Sequence, residues 1–153
     1  HNHRRHHQHY AFSKMLSLRS LFLFFALAVA SVVAGTNQAG LDYLAKMEKE
    51  DGVVKLASGL MYKELVAGTG KTPTAGSPCS CHYAGTLIDG TEFDSSYKRG
   101  APTTFAPNQV IKGWTEAMQL MKEGGKWELY IPSELAYGDR GAGGLIPGGS
   151  VLV

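Results

Sequence analysis

From Gly59 to Val153, short apolar runs alternate with turns rich in Gly, Pro and Thr, a pattern of short strands rather than long helices. Leu60 to Val66 predicts a strand, and residues 67–78 (AGTGKTPTAGSP) a loop. Cys79 to Ile88 predicts a longer strand whose period-two alternation puts Cys79, Cys81, Tyr83, Gly85 and Leu87 on one face. Asp89-Gly90 between apolar runs is a hairpin signal, with Thr91 to Asp94 as the returning strand. Residues 95–104 read as a polar loop and Thr104-Phe105 as a brief extended piece. Ile111 to Met121 predicts a helix, because Trp114, Ala117, Met118 and Met121 fall at i, i+3, i+4 and i+7 and Gly124-Gly125 stops the run. Lys126 to Ile131 alternates Trp127, Leu129 and Ile131 against Lys126, Glu128 and Tyr130, a half-buried strand. After Pro132 comes a loop with six glycines between Gly138 and Gly149. One helix against several antiparallel strands is an α+β class.

The pattern before Gly59 is different. Leu41, Leu44, Ala45 and Met47 have helical spacing over Leu41 to Glu50, with Asp42 in the first turn, Gly52 as a stop and residues 36–40 as a polar linker. This Lys- and Glu-rich helix reads as an adjunct to the main fold. Between Met15 and Ala34, Arg19 precedes an uncharged run of 13 residues from Leu21 to Val33, with Ala28/Ala30 or Val32/Ala34 as small-residue cleavage pairs. That is the anatomy of a secretory signal peptide, and the run is short of the ~20 residues that span a bilayer. An uncleaved signal anchor is the alternative. Five of the six histidines lie in residues 1–9, ahead of the first methionine, so residues 1–14 read as a non-native leader. A nickel- or zinc-binding histidine tract is the competing reading.

A composition 44% hydrophobic and 18% charged is that of a folded domain and excludes a disordered chain. The net charge of +2 is unevenly spread: four of the 15 basic residues (Arg4, Arg5, Lys14, Arg19) precede residue 36, leaving 11 against all 13 acidic ones. A mildly acidic body offers no footprint for nucleic acid. Cys79 and Cys81 flank one serine on one strand face, with Cα atoms ~6.5–7 Å apart, at or beyond disulfide reach. They read as buried free thiols, and no metal site is expected. His82, the only histidine beyond residue 9, lacks a general-base partner and reads as structural, on the face opposite Tyr83. The stretch GDRGAGG is no phosphate loop. What remains is a set of aromatics and one carboxylate: Tyr83, Phe93, Asp94, Phe105, Trp114 and Tyr137.

Three ordered motifs carry the reading further: HYAGTLIDGTEFDSS (82–96), QVIKGWTEAMQLMKEGGKWELYIPSELAYG (109–138) and GLIPGGSVLV (144–153). From about Gly59 the chain closely resembles an FKBP-type peptidyl-prolyl cis–trans isomerase, or rotamase. The Leu41–Leu56 stretch and the lead-in GVVKLASGLMYKELVAGTG resemble the macrophage-infectivity-potentiator branch, whose N-terminal helical extension often dimerises and whose members are usually exported. The resemblance implies a five- to six-stranded antiparallel sheet curled around one short helix, in a domain over 59–153. It implies a ligand cleft of Tyr83, Phe93, Asp94, Val110, Ile111, Trp114, Tyr137, Leu145 and Ile146. Within it, Trp114 would be the floor under a proline ring, and Phe93 and Tyr83 the walls. The Ile111 N–H and Tyr137 hydroxyl would donate to ligand carbonyls, with Asp94 near the reacting carbonyl.

The implied partners are proline-containing client polypeptides and the macrolides FK506 and rapamycin, with no cofactor, and a homodimer through the N-terminal helix. The implied place is the secretory pathway, in the ER lumen or secreted. A non-catalytic module that binds proline segments or dimerises is the competing function. Three departures stand out. Thr103 or Thr104 occupies a position where many members carry an aromatic, and Ala142 one where many carry histidine. The chain also stops before the Phe-x-hydrophobic strand of family members, so the last strand is read as incomplete, the chain as C-terminally truncated, and its stability as marginal.

Overall fold

The computed structural model describes residues 35–153; the expected leader 1–14 and signal segment 15–34 lie outside the described residues. The chain runs α1 (Gln38–Met47), β1 (Val53–Lys55), β2 (Met61–Val66), β3 (Cys79–Cys81), β4 (Ala84–Thr86), β5 (Glu92–Ser95), α2 (Ser96–Arg99), β6 (Thr103–Phe105), α3 (Lys112–Met118) and β7 (Lys126–Tyr130). Every ladder is antiparallel: β1-β2-β7, β3-β6 and β4-β5. The expected α+β class with antiparallel strands and few helices is what the chain forms.

The residues after Ser150 join these ladders. Leu152 exchanges backbone hydrogen bonds with Ile131 (2.8 and 3.0 Å), and Val153 with Thr86 (2.8 and 2.9 Å). Residues 151–153 thereby lie between the continuation of β7 and the end of β4. The pairing runs β1, β2, β7, 151–153, β4, β5, which is how the expected single sheet is realised.

The expected strand Cys79–Ile88 is divided. Its first part pairs with β6 (Cys79↔Phe105) and its second with β5 (Gly85↔Asp94). Between them, Ser96 replaces the ladder at Tyr83: the Tyr83 N–H donates to Ser96 Oγ (2.7 Å), and the Ser96 N–H to the Tyr83 carbonyl (2.9 Å). Ser96 is fully buried, so its hydroxyl satisfies backbone groups that water cannot reach. Alternation nevertheless survives the break, with Cys79, Cys81, Tyr83 and Gly85 turned inward and Ser80, His82 and Ala84 exposed. The Asp89-Gly90 hairpin forms as expected, closed by Leu87 N–H to the Thr91 carbonyl (2.9 Å).

Two short elements escape the periodic reading. β1 is three residues long and α2 four, too few to show a period, and α2 lies inside the expected polar loop 95–104; the expected extended piece Thr104-Phe105 forms, as part of β6. The main helix is shorter than expected, Lys112–Met118 instead of Ile111–Met121. α1 starts earlier than expected because Asn37, placed in the linker by sequence, is its N-cap and accepts the Gly40 N–H (2.8 Å).

α3 packs on one side of β7, and α1 meets the other side at Tyr130. On one side Leu60, Ala117, Ile131, Ile146 and Leu152 form the core, joined by Trp127 and Leu129, the inward positions expected for this strand. On the other side Tyr130, expected on the polar face, is only 3% exposed. Its ring lies 6.3 Å from that of Tyr43 on α1, and its hydroxyl donates to Glu128 Oε1 (2.6 Å). The N-terminal helix, read as an adjunct, meets the sheet at Tyr43 while most of its residues stay exposed.

α3 approaches the sheet through Gly113, where a Cβ would lie 2.7 Å from Ile131 Cγ2 and 3.3 Å from the Leu135 carbonyl oxygen. Gly113→Ala is expected to lower stability by about 1–3 kcal/mol through overpacking, read as a fall in thermal midpoint. An unchanged midpoint would contradict this close approach.

Candidate active site

β4 and β5 set the first wall. Gly85 on β4 faces the ring of Phe93, and a Cβ there would lie 2.5 Å from Phe93 Cζ. The missing side chain lets the ring lie flat over the strand and reach the core. One residue on, Asp94 sits opposite Gly85 in the ladder.

Three rings gather from three elements. Tyr83 leaves the β3–β4 junction, Phe105 ends β6, and Trp114 stands on the first turn of α3. Tyr83 meets Trp114 at 5.0 Å and Phe105 at 6.2 Å edge to face, and Phe105 and Trp114 lie tilted at 5.7 Å. Such offset and edge contacts are the favourable aromatic geometries. Trp114 is aimed by the start of its helix, where the N–H groups of Trp114 and Thr115 both donate to the Ile111 carbonyl (3.0 Å each). The Thr115 hydroxyl ties that turn to the Pro107 carbonyl (2.5 Å).

A polar clasp holds the outer edge of the trio. The Tyr83 hydroxyl donates to Asp94 Oδ2 (2.5 Å) and accepts from Arg99 Nη2 (2.8 Å). Arg99 also forms an ion pair with Asp94, donates to Thr103 Oγ1 (3.2 Å), and lies 5.5 Å from the Tyr83 ring centre. The Tyr83 hydrogen bond and then the Arg99 guanidinium hold the Asp94 carboxyl below the usual carboxylate range. Burial, and then the bond to Asp94, push the Tyr83 phenol up. Asp94 is thus ionised at neutral pH and accepts from both Tyr83 and Arg99.

The sequence reading missed Arg99, which it left inside a polar loop. Its signal is a cation five residues after Asp94, at the end of a four-residue helix capped by Ser95. Thr103, noted as a departure, is an acceptor for that cation. Phe105 was among the aromatics but outside the expected cleft, and the structure adds it to the trio.

The remaining expected residues are spread more widely. Ile111 precedes α3 and packs on the core with Trp114 and Phe93. Its N–H and the Tyr137 hydroxyl, the two expected donors, have no hydrogen-bond partner among the described residues. Val110 is half-buried between the turn Pro107–Gln109 and α3. Tyr137 and Leu145 are 41% and 56% exposed, whereas Ile146 at 7% belongs to the core. Cys79 and Cys81 are free thiols but half-buried, not buried as expected, and burial raises the Cys81 thiol. His82 stacks on Tyr97 at 4.5 Å and bonds Ser96 Oγ through Nδ1 (2.9 Å), an exposed structural histidine opposite Tyr83.

The chain's sequence and fold match a known class. Residues 69–153 match the family model described as FKBP-type peptidyl-prolyl cis-trans isomerase, and residues 26–63 the domain amino terminal to it. A macrophage infectivity potentiator of Trypanosoma cruzi is 51% identical over 112 residues, covering 72% of this chain and 57% of that protein. The FKBP-type 22 kDa isomerase of Escherichia coli is 51% identical over 114 residues, covering 74% of this chain and 55% of that protein. The crystal structure of FkpA from E. coli superposes with a TM-score of 0.71 at 46% identity, over 74% of this chain and 53% of that one. An isomerase structure from Pseudomonas syringae pv. tomato gives 0.70 at 42% identity, over 74% of this chain and 84% of that one. The chain belongs to the FKBP-type peptidyl-prolyl cis-trans isomerase family, with the amino-terminal domain of its macrophage-infectivity-potentiator-like members. It spans about half the length of the curated relatives it matches.

Because the Asp94 carboxyl sits below its unfolded value, the clasp's contribution is present above the ordinary carboxylate range and lost as pH falls through the folded value. The pair is half exposed, so solvent keeps that contribution small. Arg99→Ala is expected to move the Asp94 titration upward, read by carbon-13 NMR of its carboxyl. A titration that stays in place would assign the depression to Tyr83 alone.

Proposed function

We propose that this protein is a peptidyl-prolyl cis–trans isomerase that accelerates Xaa–Pro bond rotation in proline-containing polypeptides. The observation that carries the reading is the half-buried Tyr83–Phe105–Trp114 trio, with Phe93 behind it, in a chain of this family. Rotation about an Xaa–Pro amide faces a barrier of about 18–20 kcal/mol because the planar form is resonance-stabilised. Uncatalysed exchange takes tens of seconds or longer. The twisted transition state has lost that resonance and much of its charge separation. An apolar aromatic surface disfavours the polar planar amide relative to the twisted one, and fixed donors add stabilisation realised only on twisting. No proton transfer or nucleophile enters such a step.

In this reading Trp114 is the floor for the proline ring, and Phe93 and Tyr83 are the walls. Two donors without internal partners, the Ile111 N–H and the Tyr137 hydroxyl, bond the substrate carbonyls. Asp94 and Arg99 keep Tyr83 in place and put a fixed dipole at the rim. Val110, Leu145 and Ile146 complete the apolar lining. FK506 and rapamycin are the small ligands this lining would accept.

The finer assignments share this standing. A relative from Legionella longbeachae, 49% identical over 121 residues, is named an outer membrane protein. Together with the run Leu21–Val33 after Arg19, this supports export through a signal peptide at 15–34, with a leader at 1–14 and the isomerase domain over 59–153. α1 supports a homodimer through the N-terminal helix, on which Leu41 remains 48% exposed.

Exchange of a Leu-Pro or Phe-Pro test peptide, with and without rapamycin, tests the reading. Rapamycin-sensitive acceleration by the folded chain is expected. Trp114→Ala is expected to weaken rapamycin binding by about thirtyfold or more, as for a central aromatic anchor. A folded chain that binds proline peptides without accelerating exchange would instead be the non-catalytic module.

A further inference from the structure

The segment Gly35–Asn37 makes an unusually dense set of bonds for a stretch that precedes a helix. The Gly35 N–H donates to Asp139 Oδ1 (2.6 Å), and the Asn37 N–H to the Gly149 carbonyl (2.9 Å). Thr36, only 6% exposed, donates from its N–H to Glu134 Oε1 (2.9 Å) and from its hydroxyl to Oε2 (2.8 Å). The same hydroxyl accepts the N–H of Ser133 (3.0 Å), a residue 1% exposed. All these partners are about a hundred residues away, in one stretch of chain, Ser133 to Gly149.

That stretch carries Tyr137, Leu145 and Ile146. It is closed on itself by Gly138 N–H to the Ser133 carbonyl (2.8 Å) and Gly149 N–H to the Gly138 carbonyl (2.8 Å). The segment grips it at its start, at Asp139 and at its end. The contact with Gly149 leaves no room for a side chain, since a Cβ there would lie 2.9 Å from the Gly35 carbonyl oxygen. A glycine-rich loop of this length loses much conformational freedom on ordering. Fixed points at both ends reduce what remains to be ordered when a ligand binds.

We propose that Gly35–Asn37 is a strap, keyed by Thr36, that holds the Ser133–Gly149 loop in its ligand-receiving shape and so makes Thr36 a positioning residue for the isomerase. The proposal deepens the isomerase reading and rests on it. It also gives the amino-terminal domain a role in the site: the strap belongs to the part matched to that domain, and the loop to the part matched to the isomerase. Thr36 touches no substrate; it acts through Glu134 and Ser133 on where Tyr137 stands.

The test compares the full chain with Thr36→Val, which removes the hydroxyl at nearly constant volume, and Thr36→Ser, which restores it. Amide hydrogen exchange at Gly138, Ala142 and Gly149 reads the loop, with the β2–β7 amides as a control. Faster exchange in the loop but not in β2–β7 is expected for Thr36→Val, with near-parent exchange for Thr36→Ser. In the peptide assay, Thr36→Val is expected to lose about tenfold in kcat/KM, mainly in kcat, with the serine variant close to the parent. Should Thr36→Val fail to fold, Asp139→Ala releases the Gly35 end from an exposed position and is expected to show the same loop-specific exchange. Unchanged loop exchange, or exchange that rises equally in β2–β7, would overturn the strap. A parent chain without activity would sink the isomerase reading, while the exchange comparison would still judge the strap.

Discussion

Residues 151–153 are the constraint on which the remaining structure depends. They bond Ile131 on one side and Thr86 on the other, and Leu152 is 2% exposed in the core. Without that double pairing, the ladder carrying α3 and the hairpin carrying Phe93 and Asp94 would share no backbone bonds. Trp114 belongs to the first group, Phe93 to the second, and Tyr83 lies where the second meets β3. The aromatic site exists because one extended tripeptide fixes these pieces at hydrogen-bond distance, where small displacements cost bonds rather than only contacts.

Around that frame the site separates its chemistry by side. Apolar rings face one another, and the only charges, Asp94 and Arg99, stand at the rim and are spent on the Tyr83 hydroxyl. Such a site presents little that can donate or accept a proton toward a bound peptide. It matches the proposed reaction, in which a planar polar amide must become a twisted, less polar one. The donors at Ile111 and Tyr137, without partners among the described residues, come from different elements, a helix start and a long loop. Their relative placement depends on what holds the loop, which is where the strap from Gly35 to Asn37 enters.

Much of the site was legible before any coordinates. Alternation along Cys79–Leu87 placed Tyr83 inward, the Asp89-Gly90 turn returned Phe93 and Asp94 beside it, and helical spacing set Trp114 toward the core. These are local rules of period two and 3.6, which survive tertiary packing when the segment is long enough. Shorter pieces left no such trace. β1 and α2 are three and four residues long, too short to show a period, and the break at Tyr83 rests on the buried Ser96. Arg99 was hidden for the same reason, since a polar residue in a polar stretch shows nothing until a partner is beside it. Tyr130 was misplaced because alternation assumes one wet face, and Tyr43 of α1 packs against that face at Tyr130.

Sequence alone therefore determined the family, the α+β class, the hairpin and the inward placement of Tyr83 and Trp114, because each is written in local spacing or in long ordered motifs. Only the tertiary structure decided that the sheet closes through residues 151–153, that Tyr83 is clasped by Asp94 and Arg99, and that Thr36 grips the loop bearing Tyr137. Most of those contacts join residues from eleven to about a hundred positions apart. Their energies come from burial and paired polar groups that exist only after the chain has folded, and no local pattern records them.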